Sequence, residues 1–210
     1  ECGLAIRPAT IDDLDGIMEV EHVAFPPVMR YSAAKIGSRL RREYDGISFR
    51  RDYFVATQDT RIVGYGEVAI QSPSVALFGA TATVAKEIGA LDDRVGALIS
   101  LGVHPDHAGR GIGRSLVLRR LEHLTAYNIR QVFTHAWSAG GFPHLARSTG
   151  FTLIKGWNGA MHPDGTTPTL YYRDLAANPL GNTAQQSRRM GLHKATNGRK
   201  TDIASNDDEQ

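Results

Sequence analysis

The chain of 210 residues holds a single cysteine, Cys2. One thiol cannot close an internal disulfide, and its place near the start argues against a catalytic role. A reducing, cytoplasmic setting is the expectation. Long apolar runs are lacking as well. Nothing approaches the roughly 18 residues that span a bilayer, and no basic segment followed by an apolar one marks a leader, so no membrane partner is expected. An excess of one charge is also missing. The 24 Lys and Arg against 22 Asp and Glu leave a net charge of +2, which gives no strong nucleic-acid signal. No internal repeat is evident. What remains is an ordinary globular composition, 41% hydrophobic and 22% charged. The length suffices for one good core and is short for two ordinary domains.

Within that unremarkable composition, residues 98–121, LISLGVHPDHAGRGIGRSLVLRRL, stand out. An apolar run ends at Val103. A polar loop follows, His104-Pro105-Asp106-His107-Ala108. Glycines then alternate at Gly109, Gly111 and Gly113, and an amphipathic helix begins at once. A strand, a glycine-rich turn and a helix start in series aim several backbone N–H groups at one point, with the positive end of the helix dipole behind them. Such a point binds phosphate. Glycine suits it because a Cβ would block the approach of an anion and resist positive φ. The dinucleotide fingerprint requires glycine where Arg114 stands, and the ATP-type loop requires a Gly-Lys-Ser/Thr that is absent.

The remaining pattern is Val103-x-Pro105-x-x-Ala108-Gly109-Arg110-Gly111-Ile112-Gly113-Arg114-x-Leu116. It resembles the acyl-CoA-binding motif of the GNAT superfamily of N-acyltransferases. The resemblance implies that Ala108, Gly109, Arg110, Gly111, Ile112, Gly113, Arg114 and Ser115 hold the CoA pyrophosphate. It implies further that backbone groups of Leu101, Gly102 and Val103 meet the pantetheine arm and the thioester oxygen. Ala108 departs from the family, which carries Gln or Arg there, so one side-chain contact is missing while the backbone cradle remains.

The rest of the chain reads as alternating elements. Residues 4–7 form a short strand, and Thr10 with Asp13 looks like a helix cap. Ile11, Leu14, Ile17 and Met18 mark a first helix, and Ser32 caps a second that carries Arg39, Arg41 and Arg42. Strands are expected at 52–57 and 61–71 as a hairpin, then at 95–103, 131–137, 151–156 and 169–174. Helices are expected at 113–127 and 142–149. Residues 72–93 read as an irregular excursion. This order, together with Gly150-Phe151 and Tyr171-Tyr172-Arg173, fits the family's α/β (α+β) fold over residues 3–175. The fold implied is a mixed central sheet of about six to seven strands flanked by helices, splayed between the cofactor strand and the next. Residues 176–210 are polar and poor in aliphatics, and are expected to be a disordered tail, since ordering costs about 1–2 kcal/mol per residue.

The resemblance implies an N-acetyltransferase that passes an acetyl or acyl group from acetyl-CoA directly to a primary amine of a small molecule, peptide or protein. A degenerate acyl-CoA-binding regulatory module is the alternative. Transfer needs a neutral amine, a polarised carbonyl and a proton for the thiolate. Glu67, in mid-strand beside the cofactor strand, is the first candidate base, and His135 the second. The family's usual acid is a tyrosine, and its position is Ala146 here; His144, Ser148, Tyr171 and Tyr172 are the nearby substitutes. His104, Asp106 and His107 share a loop, but structural zinc wants four ligands and no cysteine lies near, so no metal is expected. The acceptor's identity and the oligomeric state stay open, a homodimer among the options.

Overall fold

The structure is a computed structural model that describes residues 3–43, 46–136, 142–155, 157 and 168–180. The chain divides into two compact units, Glu1–Pro179 and Leu180–Gln210. The second, where the polar tail was expected, lies outside the described residues apart from Leu180.

The first unit is built on one seven-stranded sheet in the order β1-β2-β3-β4-β5-β7-β6. Its strands are β1 (Ala5–Pro8), β2 (Ser48–Gln58), β3 (Arg61–Gln71), β4 (Val95–Val103), β5 (Gln131–Ala136), β6 (Thr152–Leu153) and β7 (Thr169–Asp174). All neighbours are antiparallel except β4 and β5, which run parallel. That single parallel pair requires a crossover, and α5 (Ile112–Ala126) supplies it.

Residues Thr10 and Asp13 open the first helical segment as their spacing predicts. The Asp13 carboxylate accepts the Thr10 N–H at 2.8 Å and a forked pair of bonds from Arg7, both at 2.7 Å. A 3-10 turn, Ile11–Asp13, runs into α1 (Leu14–Ala24). Ser32 caps α2 (Ala33–Leu40), its Oγ accepting the Lys35 N–H at 3.2 Å. Ile17 and Val20 of α1 and Ile36 of α2 pack with Tyr53, Val55, Ile62 and Tyr65 of the sheet. The excursion after β3 holds two short helices, α3 (Pro73–Ala76) and α4 (Thr81–Ile88). Ala76 of α3, the following Leu77 and Val84 of α4 join Val95, Phe133, Ile154, Trp157 and Leu170 in a second buried cluster.

Several boundaries differ from the sequence reading, most by one residue, and three of the differences have a clear local cause. β2 starts at Ser48 rather than residue 52, because Ser48, Arg50 and Arg51 pair with the end of β3 around a register shift at Phe49. α5 starts at Ile112, with Gly111 as its left-handed cap. β6 shrinks to two residues, paired with Tyr171 and Tyr172.

Candidate active site

The glycine-rich turn takes the shape its sequence demands. Gly109 and Gly111 have φ of +75° and +81°, values that resist a side chain, whereas Gly113 has ordinary helical geometry. A Cβ on Gly113 would meet Leu145, Leu101 and Val103 at 3.5–3.8 Å, which are ordinary contacts. The first α-helical bond of α5 runs from the Ser115 N–H to the Gly111 carbonyl at 3.0 Å. The N–H groups of Ile112, Gly113 and Arg114 therefore lack helical acceptors and project from the positive end of a 15-residue helix. Ala108, Gly109, Arg110 and Gly111 are exposed around that end. The expected cradle residues thus come together at one point.

Directly before the turn, β4 parts from β5. Their parallel pairing runs through Gly96↔Val132, Ala97↔Phe133 and Leu98↔Thr134, and stops there. On its other edge β4 stays paired with β3 as far as Gly64↔Val103. The His104 N–H donates to the Val63 carbonyl at 2.9 Å. By the alternation of an antiparallel ladder, Gly102 then faces β3, while the N–H groups of Leu101 and Val103 point away from it, into the wedge between β4 and β5. This is the splay that the resemblance implied, and it presents backbone donors from the residues expected to meet the acyl group.

The wedge opens at a bulge. Gly66 pairs with Leu101 and Val68 with Leu98, so Glu67 alone faces two β4 residues, Ile99 and Ser100. The Glu67 side chain is 0% exposed. Its Oε1 accepts from Arg51 at 2.6 Å and its Oε2 from Arg39 at 3.1 Å. The Arg39 guanidinium also donates to the Tyr53 hydroxyl at 3.3 Å and lies 4.8 Å over the Tyr31 ring. Burial works against the charge of Arg39, but Glu67 together with Tyr53 and Tyr31 outweighs it, and the guanidinium is raised further above its usual range. For Tyr53, burial first and the Glu67 charge second push the phenol well above its usual range. Next to this group, Glu21 of α1 accepts the Tyr65 hydroxyl and, at 2.6 Å, the Tyr31 N–H. None of these partners of Glu67 was legible in the sequence. Arg39 stood out only as part of a basic face, and Arg51 lies 16 residues from its carboxylate.

His135 is the first β5 residue beyond the last β4 pair. Ala69, Ala97 and Phe133 are register partners, so Glu67 and His135, two residues along from Ala69 and Phe133, share one face of the sheet. The His135 ring packs between Phe78 and Trp157, each centroid at 4.9 Å. Phe78 is 60% exposed and holds a positive φ of 49°.

The candidate acids are scattered. Ala146 is fully buried on α6 (Phe142–Ser148), so no hydroxyl stands at the family's usual place. The Ser148 Oγ donates to the Leu145 carbonyl at 2.9 Å, and His144 is exposed. The Tyr172 hydroxyl donates to Asp174 at 3.3 Å; burial, then Asp174, push this phenol up to about 12. Tyr171 is buried. Residues 158–167, between β6 and β7, lie outside the described residues.

Among the described residues, no group of three His, Cys, Asp or Glu could hold a metal ion, and no helix is long and apolar enough to cross a membrane. The His104 Nδ1 instead accepts the Asp106 N–H at 3.3 Å, which shapes the turn before Ala108.

Residues 16–140 match the model of the acetyltransferase (GNAT) family. The chain belongs to that family. No curated protein matches its sequence. Among solved structures it is similar to PaiA N-acetyltransferase from Thermoplasma acidophilum in complex with coenzyme A, at 14% identity and a TM-score of 0.56, over 82% of this chain and 99% of that one. A mosquito arylalkylamine N-acetyltransferase-like protein gives 15% identity and a TM-score of 0.60, over 82% and 100%. GphF, a GNAT-like decarboxylase in complex with isobutyryl-CoA, gives 19% and 0.57, over 81% and 99%. At such identities the likeness concerns the fold.

Proposed function

We propose that this GNAT protein is an acyl-CoA-dependent N-acyltransferase that moves an acetyl group from acetyl-CoA to a primary amine. The observation that carries the reading is the continuity of two sets of backbone donors. The N–H groups of α5's first turn suit a pyrophosphate, and those of Leu101 and Val103, at the end of β4 across the loop 104–111, suit a thioester oxygen. Family membership supports the same reading, as does the coenzyme A in the PaiA structure.

In this mechanism the chain acts chiefly by holding both reactants in the wedge, an effect that contributes roughly 7–11 kcal/mol in favourable cases. The amides of residues 109–114 anchor the cofactor. The Leu101 N–H stabilises the oxyanion as the amine attacks the carbonyl carbon. Collapse of the tetrahedral intermediate breaks the C–S bond and releases the thiolate, a fair leaving group because a thiol has a pKa near 8.5. Glu67 takes the ammonium proton through the lone pairs that its arginine contacts leave over, with His135 on the same face as the second candidate. As the amide forms, the nitrogen sheds its second proton to solvent, and the thiolate takes one from solvent, since no hydroxyl occupies position 146.

A second reading, an acyl-CoA-binding module without turnover, draws on one observation: both Glu67 oxygens already accept guanidinium groups.

Thiol release from acetyl-CoA across a panel of amines and peptides tests transfer, and calorimetry with coenzyme A tests the site. Gly111→Glu places a like charge and a side chain at a φ of +81° beside the pyrophosphate cradle. It is expected to weaken coenzyme A at least a hundredfold with the fold intact by circular dichroism. Unchanged affinity in that variant removes the turn from the site.

A further inference from the structure

Arg120 of α5 is 0% exposed, beneath the bulge. Its Nη1 donates to the Glu67 and Ser100 carbonyls, each at 2.9 Å, and its Nε to the Leu116 carbonyl at 3.1 Å. Among the described residues, the Nη2 atom has no hydrogen-bond partner. Gly66 leaves room for this side chain: a Cβ there would stand 2.8 Å from the Arg120 Nε. Burial lowers the guanidinium to about 9, against the opposing pull of Glu67. A buried cation bonded to three carbonyls is a costly way to fill space. The carbonyls it grips explain the choice. Ser100 C=O and Leu101 N–H belong to one planar trans peptide unit and point in opposite directions. A guanidinium on the oxygen fixes the direction of the N–H and polarises it into a stronger donor.

We propose that Arg120 is a positioning residue for acyl transfer. Through the Ser100–Leu101 peptide it aims and strengthens the N–H that meets the thioester oxygen in the wedge. This rests on the acyl-CoA reading above. Arg120 touches neither substrate; it acts through a backbone donor on the far side of a single peptide plane. The glycine at position 66 is part of the same device.

The thioester carbonyl stretch of bound acetyl-CoA, labelled with carbon-13 at the carbonyl, reads that donor directly. In the wild type the band is expected to shift to lower frequency than in free acetyl-CoA. Arg120→Met should return it towards the free value and lower kcat by at least tenfold, while affinity for unacylated coenzyme A stays within about twofold. Arg120→Lys should recover part of the shift. Gly66→Ala, which displaces the guanidinium but keeps it, carries the test should the methionine variant fail to fold. A folded variant with an unshifted band position and kcat relative to wild type overturns the proposal, as does a parallel loss of coenzyme A affinity and kcat with the wild-type band retained. A wild type that shows the shift but acylates no amine defeats the transfer reading and leaves the Arg120 arrangement standing. A wild type that binds no acetyl-CoA overturns both.

Discussion

A carboxylate with no exposure, held between Arg39 and Arg51, has two jobs that a single substitution would disturb together. As part of an ion-paired cluster, Glu67 compensates charges that would otherwise be buried alone; breaking such a pair costs about 3–5 kcal/mol. As a base it would contribute roughly 10²–10⁴ in rate. Glu67→Gln keeps the shape and an acceptor oxygen, so it should remain folded with stability lowered by up to about 3 kcal/mol, while kcat falls by roughly 10² or more. His135→Gln should lose less than tenfold. Steady-state kinetics at a temperature below the Glu67→Gln unfolding transition separates the two. A near-normal kcat for folded Glu67→Gln with a collapse for His135→Gln moves the base to the end of β5.

At the scale of elements, α5 and β4 carry the site between them. Gly96 of β4 shows how closely they pack: a Cβ there would stand 2.5 Å from the Leu124 side chain of α5. Gly96→Ala is expected to cost about 1–3 kcal/mol by overpacking, read as a lower denaturation midpoint in urea with an unchanged slope. An unchanged midpoint would mean that the helix can move off the sheet freely. The turn between these elements was legible because its requirement is local: a positive φ at Gly109 and Gly111 selects glycine whatever the rest of the chain does. The succession of strands along the chain and most of their boundaries were legible through apolar periodicity, while the mixed sheet was implied by the family resemblance. The bulge opposite Glu67 was not, since it is a register shift between β3 and β4 that lies between the pairs Gly66↔Leu101 and Val68↔Leu98, and no single segment records it. The same reason hid Arg120 and Arg51, whose partners are backbone and side-chain oxygens on other strands. Residues 48–51 hid differently. With one exposed Phe49 among Ser48, Arg50 and Arg51 they show no apolar alternation, and only pairing with β3 makes them a strand.

For the molecule as a whole, charge is spent locally rather than on a global field, and its pH response follows from that. Asp13 is lowered from its usual carboxylate value, first through the bond from Arg7, against burial, and with the Thr10 N–H adding to it. At Asp52 burial pushes the other way, but bonds from His123, at 2.9 Å, and Arg50, at 2.5 Å, outweigh it and the group is again lowered. Carboxylates depressed in the native state stabilise it fully above their unfolded value, near 3.9. That stability is lost as pH falls from there through the folded values. The urea midpoint should therefore be flat with respect to these two groups from pH 7 down to about 5 and decline below about 4. Asp13→Asn removes one contributor in advance. At pH 7 it should cost about 1–2 kcal/mol, from a helix-start bond and a half-exposed ion pair, and the gap to wild type should narrow as the pH approaches 3. A gap that stays constant over that range would show that the stability contributed by Asp13 does not depend on its charge. The Arg7 fork would then be an exposed contact of no energetic consequence, and the acid sensitivity of the sheet would rest on Asp52 and its partners across β2 and α5.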